Sequence, residues 1–159
     1  MLTPLDLLLH QLDSAYLAKA WHGPTLRGAL RGVRAETAAW RPGPGRHSIW
    51  ELALHCAYWK YTVRRRLTGE KRGAFPLEGS NFFPRPLREP NQRDWAADVA
   101  LLDAEHRALR AAVAALEPDR LGEKAPGARY SYATLASGIA AHDLYHAGQI
   151  SLLKRLAPP

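Results

Sequence analysis

Near its C-terminal end the chain reads His142-Asp143-Leu144-Tyr145-His146, which sets two histidines four residues apart. On a helix, positions i and i+4 share a face. Leu135, Ile139, His142, His146, Ile150 and Leu153 recur at steps of three and four, the spacing of a stripe turned toward a core. Two imidazoles thus stand where leucines belong. A buried polar ring without a partner is costly, and one divalent metal ion satisfies both rings at once. A third histidine suits the same ion. His55 lies at the edge of a second apolar stripe made by Ile49, Leu52, Cys56, Trp59, Val63 and Leu67. A pair of histidines on one helix and a single histidine on a facing helix give three nitrogens with coordination positions left open, which fits catalysis better than a closed structural site.

HSIWELALHCAYW (His47 to Trp59) and HDLYHAGQISLLKR (His142 to Arg155) resemble the DinB/YfiT-like superfamily of metal-binding four-helix bundles. The histidine pair followed by Gly148, Gln149 and Ile150 is the more specific motif, and the likeness runs from the first helix to Leu156. The resemblance implies an all-α four-helix bundle whose metal ligands are His55, His142 and His146. It implies one divalent ion, zinc or nickel, and transfer to a low-molecular-weight thiol; a three-histidine ion that lowers the pKa of bound water supports hydrolysis as the other chemistry. From residue types alone the ion stays open among Zn, Ni, Co and Cu, all of which accept nitrogen ligands. The rival reading is a non-catalytic, metal-stabilised homodimer that acts by binding; it requires a full set of protein ligands and no cavity at the ion.

Other side chains divide between a role at the site and a plainer one. His106 holds a core position of the third helix. Pairing helices three and four outward from their loop places it level with the His142–His146 turn, as a pocket-lining base or as a hydrogen-bonded core residue. His22 lies in the break Trp21-His22-Gly23-Pro24, and the same pairing sets that break within about two turns of His55. His22 and His106 are therefore the candidates for proton transfer at the metal. His10 and His47 read as surface or capping residues. Glu51 either caps the second helix or orients His55. Asp143 is rotated off the ligand face. Tyr145 and Gln149 flank the pair, and Cys56 reads as a small apolar core residue rather than a nucleophile. Arg64, Arg65 and Arg66 point in different directions and complement a helix C-terminus.

The elements that must hold these residues follow from periodicity. Pro4 to Ala20 reads as a helix with Leu5, Leu9, Leu12 and Tyr16 on one face, and a short segment after Pro24 carries Leu26, Leu30 and Val33. Ser48 and Glu51 form a capping box that starts a helix running to about Leu67. Residues 69–93 hold seven glycines and prolines and all three phenylalanines of the chain, Phe75, Phe82 and Phe83, which predicts a long crossover packed against the bundle. Trp95, Val99, Leu102, His106, Leu109, Val113 and Leu116 mark the third long helix, and Tyr132 to Leu156 the fourth. Four helices, one long crossover between the second and third, and no strand pattern predict a four-helix bundle in one domain, residues 1–159.

Composition sets outer bounds. With 47% hydrophobic and 23% charged residues, the chain is ordinary for a globular protein. A single cysteine excludes an intrachain disulfide. No apolar run approaches the roughly 20 residues that span a bilayer, and Met1 to Pro4 carry no signal-like pattern, so the expected setting is the cytoplasm and no membrane partner. The formal charge of +7 is spread over many segments, which argues against nucleic acid. The expected partners are a small-molecule substrate and a second copy of the chain, since Trp21, Trp50, Tyr58 and Trp59 offer more aromatic surface than a small core covers.

Overall fold

The computed structural model describes residues 2–17 and 19–158. Among these, α1 spans Pro4–Tyr16, α2 Leu26–Leu30, α3 Ala35–Ala39, α4 Ile49–Thr68, α5 Gln92–Ala114 and α6 Tyr132–Leu156, with no named strand. Each long helix starts on a side-chain cap. Thr3 and Asp6, and Ser48 and Glu51, form reciprocal capping boxes. The Asn91 side chain accepts from Asp94 N–H, and Ser131 from Thr134 N–H. These bonds satisfy backbone donors that a helix start leaves free. α4 stops at Gly69, whose φ of 77° is cheap only for glycine.

α1 and α4 each pack against both α5 and α6. The four long helices therefore make a bundle in which α5 and α6 face each other across a diagonal. α2 also lies against α6, and α3 bridges α4 and α5. Residues 69–91 connect α4 to α5. Phe83 is buried, and Phe75, Leu77 and Phe82 pack on the same apolar cluster. Trp50 and Tyr58 lie inside the core rather than at its surface, while Trp21 is fully exposed. Among the described residues, no helix is long and apolar enough to cross a membrane.

The core is in two parts. One cluster gathers Tyr16, Leu26, Trp50, Leu54, Trp95, Leu102 and Ile150; the other gathers Leu12, Leu67, Leu109, Val113, Leu135 and Ile139. Along α6 the change of cluster falls between Ala140 and Ala147, along α5 between Leu102 and Leu109, and along α4 around Lys60. The residues at these crossings are polar and buried: Asp143 and His146, His106, and Lys60. A layer of polar side chains thus crosses the middle of the bundle, and the three candidate ligands lie at one end of it.

Candidate metal centre

α4 supplies His55, and one turn of α6 supplies His142 and His146. The Nε2 atoms of His55 and His142 are 3.0 Å apart, and those of His142 and His146 3.1 Å. Two imidazole nitrogens sharing one zinc ion at roughly 2.0–2.1 Å are about 2.8–3.4 Å apart for ordinary bond angles, so the spacing fits one shared ion. The tautomers fit as well. His55 donates its Nδ1–H to the carbonyl of Asn81 at 2.9 Å, and His146 donates its Nδ1–H to Gln149 Oε1 at 2.7 Å. Each ring then presents a bare Nε2 lone pair toward His142, and converging lone pairs attract a cation. Burial holds His55 down to about 4 and His142 down to about 3, the latter helped by His146 and His55. His146 is lowered by burial too. All three rings are neutral at pH 7, the form that binds metal.

The crossover takes part in holding the site. Asn81 sits at φ 68°, a left-handed conformation that asparagine tolerates better than most residues. Its side-chain oxygen accepts from Trp59 Nε1–H at 2.9 Å while its carbonyl receives His55. The next residue, Phe82, stacks on His55 at 4.2 Å between centroids, and on its other side meets His47 at 3.7 Å. The Glu51 side chain bonds elsewhere than to His55. It closes the capping box, meets His47 Nδ1 at 3.3 Å and receives a two-pronged contact from Arg41 at 2.6 and 2.7 Å. On α6, Gln149 Nε2–H donates to the Tyr145 hydroxyl at 3.1 Å, extending the chain of bonds that starts at His146. Cys56 is fully buried, and burial pushes its thiol well above the usual range.

A family model described as the DinB superfamily matches residues 18–150. The chain belongs to the DinB superfamily. Neither the curated proteins nor the solved structures provide a match to it. Membership agrees with the all-helical architecture and with a buried His55, His142 and His146 group able to hold a metal ion.

The other two histidines named from this DinB-superfamily sequence face elsewhere. His106 stacks on Tyr16 at 3.7 Å and lines a groove of about 550 Å³ with Asp13, Arg27 and Arg110. Burial, aided by Lys60, lowers it to about 3. His22 lines a wider groove of about 920 Å³ between α1 and α6, with Trp21, Ser137, Gly138 and Ala141. Neither groove is lined by a residue of the triad. The reason is the bundle's order. Level pairing across a loop requires adjacent helices, and here α5 and α6 lie diagonally.

Sequence reasoning names neither Asn81 nor Lys60, and it places Asp143 only off the ligand face. Asn81 carries no signal, because its role is played by a backbone carbonyl. Lys60 and Asp143 do carry one. Ala136, Ala140, Asp143, Ala147 and Ile150 form a stripe at helical spacing beside the histidine stripe, and all five are buried. Asp143 is fully buried and bonds Lys60 Nζ, itself fully buried. Burial pushes the Asp143 carboxyl up, and the Lys60 ammonium against it opposes that shift.

Proposed function

We propose that this chain is a divalent-metal-dependent enzyme that carries out hydrolysis or transfer to a low-molecular-weight thiol. His55, His142 and His146 would hold one ion, nickel or zinc, through Nε2. The observation that supports this most directly is that two of the three rings are fixed by Asn81 and Gln149 as Nδ1–H tautomers with Nε2 aimed at the third. Three neutral nitrogens are fewer than the ligands such ions take, which leaves positions for a small molecule. When bound, the ion supplies Lewis acidity, enough to bring a coordinated water toward neutral pKa or to deprotonate a coordinated thiol. The protein's own contribution is positional. Asn81 and Phe82 hold the His55 plane, Gln149 holds the His146 plane, and burial keeps all three nitrogens free of protons at working pH. Our reading gives His22 and His106 no proton-transfer role, because they face other grooves. It places the enzyme in the cytoplasm as a homodimer.

The test starts with metal analysis of tag-free protein, followed by an activity panel with the assayed ion loaded. Activated esters probe hydrolysis; an alkyl halide or epoxide with cysteine or a cysteine-containing dipeptide probes thiol transfer. One equivalent of ion, and turnover lost in His142→Ala, supports the reading. One equivalent with a coordination sphere closed by protein alone, measured by X-ray absorption on the Ni²⁺ form, would favour the non-catalytic binding protein instead.

A further inference from the structure

The Lys60–Asp143 pair has no part in the chemistry above, yet it lies one residue from a ligand position with both side chains fully buried. An ion pair at such depth is a poor source of stability, because desolvation offsets the attraction. Its geometry leaves something over. Asp143 gives Oδ2 to Lys60, and Oδ1 is buried without a partner. His142 Nδ1 is also buried without a partner. Ligand atoms of Asp143, His142 and Cys56 all lie within 4.8 Å of one another.

The two orphans are complementary. Among the three rings, His55 and His146 have acceptors for their Nδ1 protons, and His142 has none. Once His142 Nε2 is committed to an ion, the neutral imidazole must carry its proton on Nδ1. That creates a buried donor, which is costly if left unmade. Asp143 Oδ1 is a buried acceptor of the right charge, on a carboxylate with an oxygen within 4.8 Å of an imidazole nitrogen of His142.

We propose that in the metal-bound protein Asp143 Oδ1 accepts the Nδ1 proton of His142, so that Lys60, Asp143 and His142 form a positioning chain for the third ligand. This rests on the metal-centre reading above. Lys60 fixes the carboxylate by its other oxygen and balances its charge. The carboxylate makes the imidazole a stronger ligand and holds its plane, as outer carboxylates do at metal-bound histidines. A second ion on Cys56, His142 and Asp143 is disfavoured, since the Lys60 ammonium already occupies the carboxylate and repels a cation.

The test uses the full chain, tag-free, with Zn²⁺ affinity measured by competition against a chromophoric chelator. Asp143→Asn keeps the shape and loses the charge. Lys60→Met/Asp143→Leu replaces the pair with apolar side chains that can pack in its place. Both should lose about 10–100-fold in affinity, with apo folding checked by circular dichroism, while Cys56→Ala should bind as wild type does. Wild-type affinity in the folded double variant would mean the pair is structural only and would overturn the proposal. A second zinc equivalent in wild type that vanishes in Asp143→Asn would overturn it too. Nitrogen-15 NMR of the wild type decides the matter independently of any variant. The zinc form should show a strongly deshielded, slowly exchanging His142 Nδ1 proton; a rapidly exchanging one refutes the bond. Absence of any zinc binding by wild type would instead sink the metal-centre reading itself.

Discussion

Removing the metal should lower stability without unfolding the chain, and His142→Ala should abolish the difference. Both apolar clusters close without any ion, with Leu12, Trp50, Leu54, Leu102, Leu109 and Ile150 at or near zero exposure, unlike a small zinc domain that folds only around its metal. An ion that binds only the folded state stabilises it by about 2.7 kcal/mol at a free concentration one hundred times Kd. For a chain of 159 residues, each kcal/mol moves Tm by about 2–4 °C, so saturating metal should raise Tm by roughly 5–11 °C. The apo state of His142→Ala should behave differently from an ordinary core truncation. The wild-type ring has a buried Nδ1 with no partner and an Nε2 facing two other nitrogens. Deleting it removes unsatisfied polar atoms along with packing, and the apo variant should melt within about 1 kcal/mol of apo wild type. Thermal melts by circular dichroism with Zn²⁺, with Ni²⁺ and with a chelator read all four states. An apo wild type unfolded at 25 °C, or a variant that keeps the metal shift, would refute the reasoning.

Lys60→Met alone leaves the Asp143 carboxylate buried without its counter-ion and should cost about 3–5 kcal/mol in urea melts, whereas an effect below about 1 kcal/mol would show that the carboxylate finds another partner. His106 is neutral in the fold down to about 3, below its unfolded value near 6.5, so the unfolded chain binds the proton first and stability falls as pH drops through that window. The contribution reaches about 2.7 kcal/mol by pH 4.5, and apo His106→Leu should lose less stability than apo wild type over pH 6.5–4.5; parallel curves would disprove it. Asn81→Gly keeps the carbonyl that meets His55 and tolerates φ 68°, so it should weaken zinc binding less than Asn81→Ala, which must strain there by about 1–2 kcal/mol; equal affinities would remove the carbonyl from the account. Sedimentation at micromolar concentration should give a dimer mass through the exposed Trp21 and the outer α6 residues Leu144, Tyr145, Leu152 and Leu156, and a monomer there would refute the expected pairing.

Periodicity located all four long helices because each carries its own apolar stripe and its own cap. The fourth helix, expected at roughly Tyr132 to Leu156, is α6, and Ser48 with Glu51 marks the start of α4. α1 stops at Tyr16 rather than Ala20; Leu17 is exposed, beyond the last packed turn, and Ala18 lies outside the described residues. α3 was not foreseen. Its five residues, Ala35–Ala39, are too few to show a period, and they are helical because Ala35 and Ala38 are buried at the junction of α4 and α5. The triad was legible for the same reason as the helices: a polar residue on an apolar stripe violates the pattern, and three violations on two helices have one economical explanation.

What the sequence withheld is adjacency. A stripe says which face of a helix is buried and nothing about which helix covers it. His106 and the His142–His146 turn are both polar interruptions in core stripes, and on adjacent helices they would have met. In this bundle α4 stands between α5 and α6 on one side and α1 on the other. The span between them is filled by Lys60, whose Nζ bonds Asp143 and lies 4.8 Å from the centre of the Tyr16 ring that stacks on His106. The interruptions at 106, 142 and 146 are therefore parts of one polar layer, of which only those at 142 and 146 belong to the candidate metal site. That layer costs the bundle apolar packing at its middle on α4, α5 and α6, a burden no single buried histidine would explain. A departure of this kind from an apolar core fits a functional site, and the candidate ligand nitrogens at its end are the group whose geometry a metal would need fixed.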